Sequence, residues 1–117
     1  MRRHFRLRNP DDFARVRRTG QTYRNPSLLL NVAPNDLQHN RYGFITSKRL
    51  GGAVCRNRVR RLLRESVRAL HPQLAEGYDF VFIARQAIVG QPFSVIKRIV
   101  LGLAQQAKLV EDDRGLL

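Results

Sequence analysis

The chain has no tryptophan, one cysteine and only 9 acidic residues among 117. With Cys55 alone no internal disulfide can form, and a reducing compartment is indicated. The histidines, His4, His39 and His71, lie far apart and match no metal-site spacing. No run approaches the roughly 18 apolar residues of a membrane span. After Arg2-Arg3 the sequence continues HFRLRNP, where an export signal would be apolar. No helical stretch pairs a basic face with a Trp/Phe-rich one, as a membrane-surface helix does. The expectation is a soluble cytoplasmic protein with no membrane partner.

The scarce acids also limit the chemistry. Cleaving a phosphodiester with side chains needs a general acid and base, or carboxylates that clamp metal ions. Here Asp11 and Asp12 open a helix, Asp36 falls in a turn, Glu65 lies between Arg61 and Arg68, and Asp112-Asp113 are in the tail. Gly51-Gly52 lacks the lysine and hydroxyl of a Walker loop. Cys55 has arginines nearby but no histidine at useful spacing, and reads as structural. No catalytic residue, metal ligand or cofactor is expected on the protein. Zinc-finger spacing and the aromatic motif of an RNA-recognition domain are absent as well.

What is present is positive charge: 22 basic residues, mostly arginine, give a formal +13. Arginine suits bidentate phosphate contacts, so an acidic partner is implied, nucleic acid being the commonest. The charge concentrates in Lys48–Arg68, KRLGGAVCRNRVRRLLRESVR, a Gly-Gly turn leading into an amphipathic helix. At helical period Val59, Leu62, Leu63, Ser66, Val67 and Leu70 share one side. Asn57, Arg60, Arg61, Arg64 and Arg68 fall opposite, with Arg56 and Arg58 at the flanks. Cations near a helix start cost about 0.3–1 kcal/mol each. A polyanion lying across that end reverses the sign, because helix start and guanidinium forks then act on the same phosphates.

The remaining elements follow in order. Residues 1–8, MRRHFRLR, form a basic arm. Asn9 caps a helix with Pro10, Asp11 and Asp12 in its first turn, and Gly20 ends it; Phe13 and Val16 share a face. Gln21 to Arg24 is a short strand broken at Asn25-Pro26. Ser27 to Val32 and Arg41 to Ser47 read as strands that most simply pair as an antiparallel hairpin across the turn 33–40. The basic helix stops at His71-Pro72. Tyr78 to Ala84 is apolar on both faces, the mark of a central strand. From Ser94 a last helix carries the stripe Ile96, Ile99, Val100, Leu103, Ala107 and Val110, and the tail 111–117, EDDRGLL, is expected to fray. The whole is one α+β domain over 1–117: a two-layer sandwich of three helices and a mixed four-stranded sheet, in the order α-β-β-β-α-β-α. General rules make the crossover through the basic helix right-handed.

The segment Lys48–Arg68 closely resembles the hallmark of the protein subunit of bacterial ribonuclease P. The matching residues are the glycine turn at Gly51 or Gly52, Ala53-Val54, Arg56-Asn57-Arg58, Val59, Arg60-Arg61 and Arg64. Asp12-Phe13, Val16, Gly20, Ser47-Lys48 and Asp79 through Arg85 agree on the flanks, so the likeness covers nearly the whole chain. It implies a left-handed crossover, which we adopt over the general rule. It also implies a partner, ribonuclease P RNA, which itself removes the 5′ leader of precursor tRNA with magnesium held through the RNA. Contacts to that RNA then fall to Lys48, Arg49, Arg56, Asn57, Arg58, Arg60, Arg61, Arg64 and Arg68. A cleft beside the first helix takes the single-stranded leader, which points to Phe13. Arg17 stands where the family often has a second aromatic, and a leader phosphate contact would replace stacking there.

Two other readings fit the residues themselves. A ribosomal or other structural RNA-binding protein matches the same size and charge. A protein nuclease would need the clustered acids or histidines that this sequence scatters.

Overall fold

The computed structural model describes residues 5–110. Its elements are α1 (Pro10–Thr19), β1 (Gln21–Asn25), β2 (Leu28–Pro34), β3 (Arg41–Ile45), α2 (Ala53–Leu70), β4 (Tyr78–Ala84) and α3 (Phe93–Gln106). This is the expected order. Asn9 caps α1 by accepting the Asp11 N–H at 2.9 Å, Pro10 opens the helix, and Asp11 and Asp12 occupy its positive end. The stripe foreseen for α3 is buried at Ile96, Val100 and Leu103. The helix ends at Gln106, so Ala107 and Val110 follow it in a turn.

The sheet runs β1-β2-β4-β3. Strands β1 and β2 form an antiparallel hairpin, β4 pairs antiparallel with β2, and β3 pairs parallel with β4. The hairpin expected between the second and third strands is therefore absent, because β4 lies between them. The reason is burial: Asp79, Phe80, Val81 and Phe82 are all buried, and only a central slot covers both faces of such a strand. The link 35–40 steps across the end of β4, where Asn35 donates to the His39 carbonyl and to Asp79, both at 3.0 Å. Chain passage from β3 to its parallel neighbour then goes through α2.

Alternation divides the core between the two faces of the sheet. Leu28, Leu30, Val32, Tyr42, Phe80, Phe82 and Ala84 pack beneath α2 and α3 on one face. On the far face α1 covers Ala33 and Val81 with Val16, and Leu7 joins from the arm. That arm lies along the outer edge of β3: Arg6 bridges Tyr42 in parallel, and the Leu7 N–H donates to the Tyr42 carbonyl at 2.9 Å. The start of the arm, residues 1–4, and the tail, residues 111–117, lie outside the described residues.

One buried carboxylate ties α1 to the sheet. Asp79 on β4 receives a bidentate grip from Arg41 on β3, Nε at 2.9 Å and a terminal nitrogen at 2.8 Å. It also pairs with Arg15 of α1, whose fork reaches the Pro34 carbonyl at 3.2 Å. Asp12 adds a longer contact to Arg41 at 3.4 Å. Burial alone would raise the Asp79 pKa, but hydrogen bonds from Arg41 and Asn35 and the charges of Arg41 and Arg15 hold it below its ordinary 3.8. A depressed carboxylate contributes stability that is complete above its unfolded value and is lost as pH falls through the folded one. Asp79→Asn will therefore destabilise the protein by about 3 kcal/mol. That is the low end for breaking a buried pair, since Arg15 and Arg41 keep part of their side chains in water. Urea unfolding across an acid pH series will show wild type losing more stability below pH 3.8 than the variant. Identical pH dependence of the two would contradict this role.

Candidate nucleic-acid interface

The geometry of α2 follows from its turn and its stripe. A 3-10 turn, Lys48–Leu50, leads to Gly51 at φ 131, a conformation that L side chains rarely adopt. Gly52 then starts the helix with no side-chain cap, and no acid stands in the first turn. Val59, Leu62, Leu63, Ser66, Val67 and Leu70 are all buried, which fixes the rotation of the helix. Burying each large aliphatic of that set is worth about 1.5–3 kcal/mol before the cost of ordering it. The Ser66 hydroxyl is satisfied by the Leu62 carbonyl at 2.8 Å.

With the phase fixed, the arginines must face outward. Asn57, Arg61 and Arg68 are exposed, as are Lys48 and Arg49 in the preceding turn. Arg56, Arg58, Arg60 and Arg64 are half-buried. Every ion pair among the described residues ends on Asp12 or Asp79, so no α2 arginine is neutralised there. Two forks are held by neutral acceptors. Arg58 donates to the Gln91 carbonyl at 3.3 Å, and Arg60 donates to Asn57 Oδ1 at 3.0 Å and to the Thr46 hydroxyl. Arg64 has its pKa lowered by partial burial and by the neighbouring charges of Arg6 and Arg60. Arg6 did not stand out in the sequence, because nothing in a basic arm signals where it lands.

The second surface lies across the sheet edge. Phe13 is half-buried, and its ring covers Gly43 so closely that a Cβ there would sit 2.4 Å from the ring. An open groove of about 460 Å³ runs along it, lined by Arg8, Pro10, Phe13, Ala14, Arg17 and Ile45. Arg17 is exposed one turn from Phe13, so the two share a rim. Strand register continues the floor from Ile45 to Ile83, Leu29 and then exposed Arg24. This row was missed from sequence, since alternation identifies a strand but not which end of its face a helix leaves uncovered.

The two surfaces meet at the end of β3. Ile45 lines the groove, and the next residue, Thr46, takes the fork of Arg60. The apolar floor of the groove and one fork of the guanidinium row thus touch consecutive residues of the chain. Such an arrangement can grip backbone phosphates and hold unstacked bases. Among the described residues no three of His, Cys, Asp and Glu converge as metal ligands.

The comparisons with known proteins agree with one another. A family model described as Ribonuclease P matches residues 1–108. The ribonuclease P protein component of Roseiflexus castenholzii is 49% identical over 112 residues, 95% of this chain and 92% of that protein. That of Chloroflexus aurantiacus is 47% identical over 111 residues, 94% of this chain and 82% of that one. Among solved structures, the RNase P protein of Staphylococcus aureus has a TM-score of 0.84 at 27% identity, covering 92% of this chain and 98% of its own. The protein from Thermotoga maritima shares the fold at TM-score 0.80 and 24% identity, with coverage of 92% and 98%.

Replacing Arg60, Arg61 and Arg64 together by alanine will weaken binding to structured RNA. It will also flatten the log–log salt dependence by about 0.7–0.9 for each phosphate left without its arginine. Filter binding over a salt series measures the slope, and an unchanged slope would mean that these side chains meet only solvent.

Proposed function

The chain belongs to the ribonuclease P protein family and serves as a subunit of that RNA-based holoenzyme, and from that membership we propose how its two surfaces are used. The α2 row, Arg56, Asn57, Arg58, Arg60, Arg61, Arg64 and Arg68, binds the catalytic RNA together with Lys48 and Arg49. The groove at Phe13 and Arg17 takes the single-stranded 5′ leader of precursor tRNA. Bond breaking belongs to the RNA and its magnesium, and the protein enlarges substrate recognition as one RNA-binding domain. In this reading it works in the cytoplasm. No helix among the described residues is long and apolar enough to cross a membrane.

The observation that carries the proposal is the unneutralised arginine row of α2, joined at Ile45 and Thr46 to an apolar groove. A precursor held by its leader in the groove would lie beside the RNA held by the helix. The roles of the acids support the same view. Asp79 and Asp12 are engaged in ion pairs at the α1–sheet junction, and Asp11 sits at the start of α1.

Adding the protein to a bacterial ribonuclease P RNA will lower the magnesium and salt needed for 5′ maturation of precursor tRNA. Absence of stimulation would favour a structural RNA-binding role instead. In the reconstituted holoenzyme, Phe13→Ala will reduce discrimination between precursor and mature tRNA. Stacking of one base on an aromatic is worth about 1–3 kcal/mol, which sets the scale of the loss. Equal weakening towards both RNAs would assign Phe13 to folding alone.

A further inference from the structure

We infer that Arg6, delivered by the N-terminal arm, joins Arg60 and Arg64 in one anion pocket beside α2 that takes a sharp turn of RNA backbone. The inference rests on the reading of α2 as the RNA-binding helix and adds to it a residue and a ligand shape.

The arm is placed by its backbone. The bridge to Tyr42 and the bond from Leu7 hold it to the edge of β3, and Leu7 is buried with Val16 and Val81 on the α1 side. Successive residues on an extended segment point to opposite faces, so Arg6 turns toward α2. Its charge bears on Arg64, as does that of Arg60. Three guanidiniums from two separate elements therefore share one region, although the arm and α2 are distant in sequence.

That region is unfavourable as it stands. The Arg6 Nε–H is buried and has no hydrogen-bond partner among the described residues. A buried donor left unpaired costs free energy, more so on a charged group, and like charges nearby add to the cost. The carboxylates that pair with arginine, Asp12 and Asp79, are at the α1–sheet junction. An arriving anion offsets the repulsion, and it satisfies the orphan donor once the Arg6 side chain turns to meet it.

Charge balance then selects the shape of that anion. One phosphodiester carries a single negative charge and cannot balance three guanidiniums. A tight backbone turn brings two phosphates close together and presents oxygens from both, matching forks that donate in fixed planes. An extended strand spreads its phosphates, and the groove at Phe13 suits that form better.

The test is binding to bacterial ribonuclease P RNA over a salt series, with wild type, Arg6→Gln, Arg6→Lys, Arg64→Gln and the double glutamine variant. The pocket predicts that Arg6→Gln lowers the log–log slope by about 0.7–0.9 and that Arg6→Lys restores it. It also predicts that the double variant loses less affinity than the two single variants combined, because the residues share one ligand. Thermal melting of the free protein will be unchanged or raised in Arg6→Gln, since a repelled and unpaired cation is removed. An unchanged slope in Arg6→Gln, strictly additive losses, or a melting temperature that falls with the affinity would each overturn the pocket. If Arg60→Ala/Arg61→Ala/Arg64→Ala also leaves the slope unchanged, the reading of α2 fails; if only Arg6→Gln does, α2 stands and the pocket falls.

Discussion

The ion-pair knot at Asp79 is the constraint on which the rest of the structure depends. It fastens α1, β3 and the 35–40 link to the central strand through Arg15, Arg41 and Asn35. That docking sets the position of Phe13 over Gly43 and leaves the row Ile45, Ile83 and Leu29 partly uncovered beside it. It has a second effect, on charge. In a chain with few acids, it engages Asp12 and Asp79 on the α1 side of the sheet, away from the arginines of α2.

Helix α2 therefore carries a conflict that packing resolves one way and binding another. Its first turns hold cations where the helix end is already positive, at about 0.3–1 kcal/mol each. Its buried stripe returns more than that, about 1.5–3 kcal/mol for each large aliphatic. The fold consequently tolerates a charge pattern that is unfavourable in the free protein and favourable against a polyanion. Because the stripe fixes rotation, the helix itself need not turn to present its arginine face. Arg58 and Arg60 are further steadied by Gln91, Asn57 and Thr46.

Features set by local chemistry were legible in the sequence. The period from Val59 to Leu70 identified every buried position of α2, and the Asn9-Pro10-Asp11 cap placed the start of α1. The double-sided apolarity of residues 78–84 announced a central strand. Pairing partners were not legible, because a strand pattern says which faces are buried but not which neighbour lies alongside. Thus β2 and β3 resembled a hairpin, and β4 took the place between them. Long-range electrostatics was equally hidden: Asp79 stands in sequence between two aromatics, and its arginines come from other elements. Arg6 shows the same limit, since an arm's destination depends on which strand edge is left open.

The central question is whether the arginines of α2 are the surface that meets RNA. The most direct measurement is arginine-selective dicarbonyl modification, read by mass spectrometry, on the free protein and on its complex with ribonuclease P RNA. Arg60, Arg61 and Arg64 will lose reactivity in the complex, while exposed Arg98 on α3 keeps it. Continued reactivity of the three, with protection of Arg98 instead, would place the RNA on another face and contradict the account.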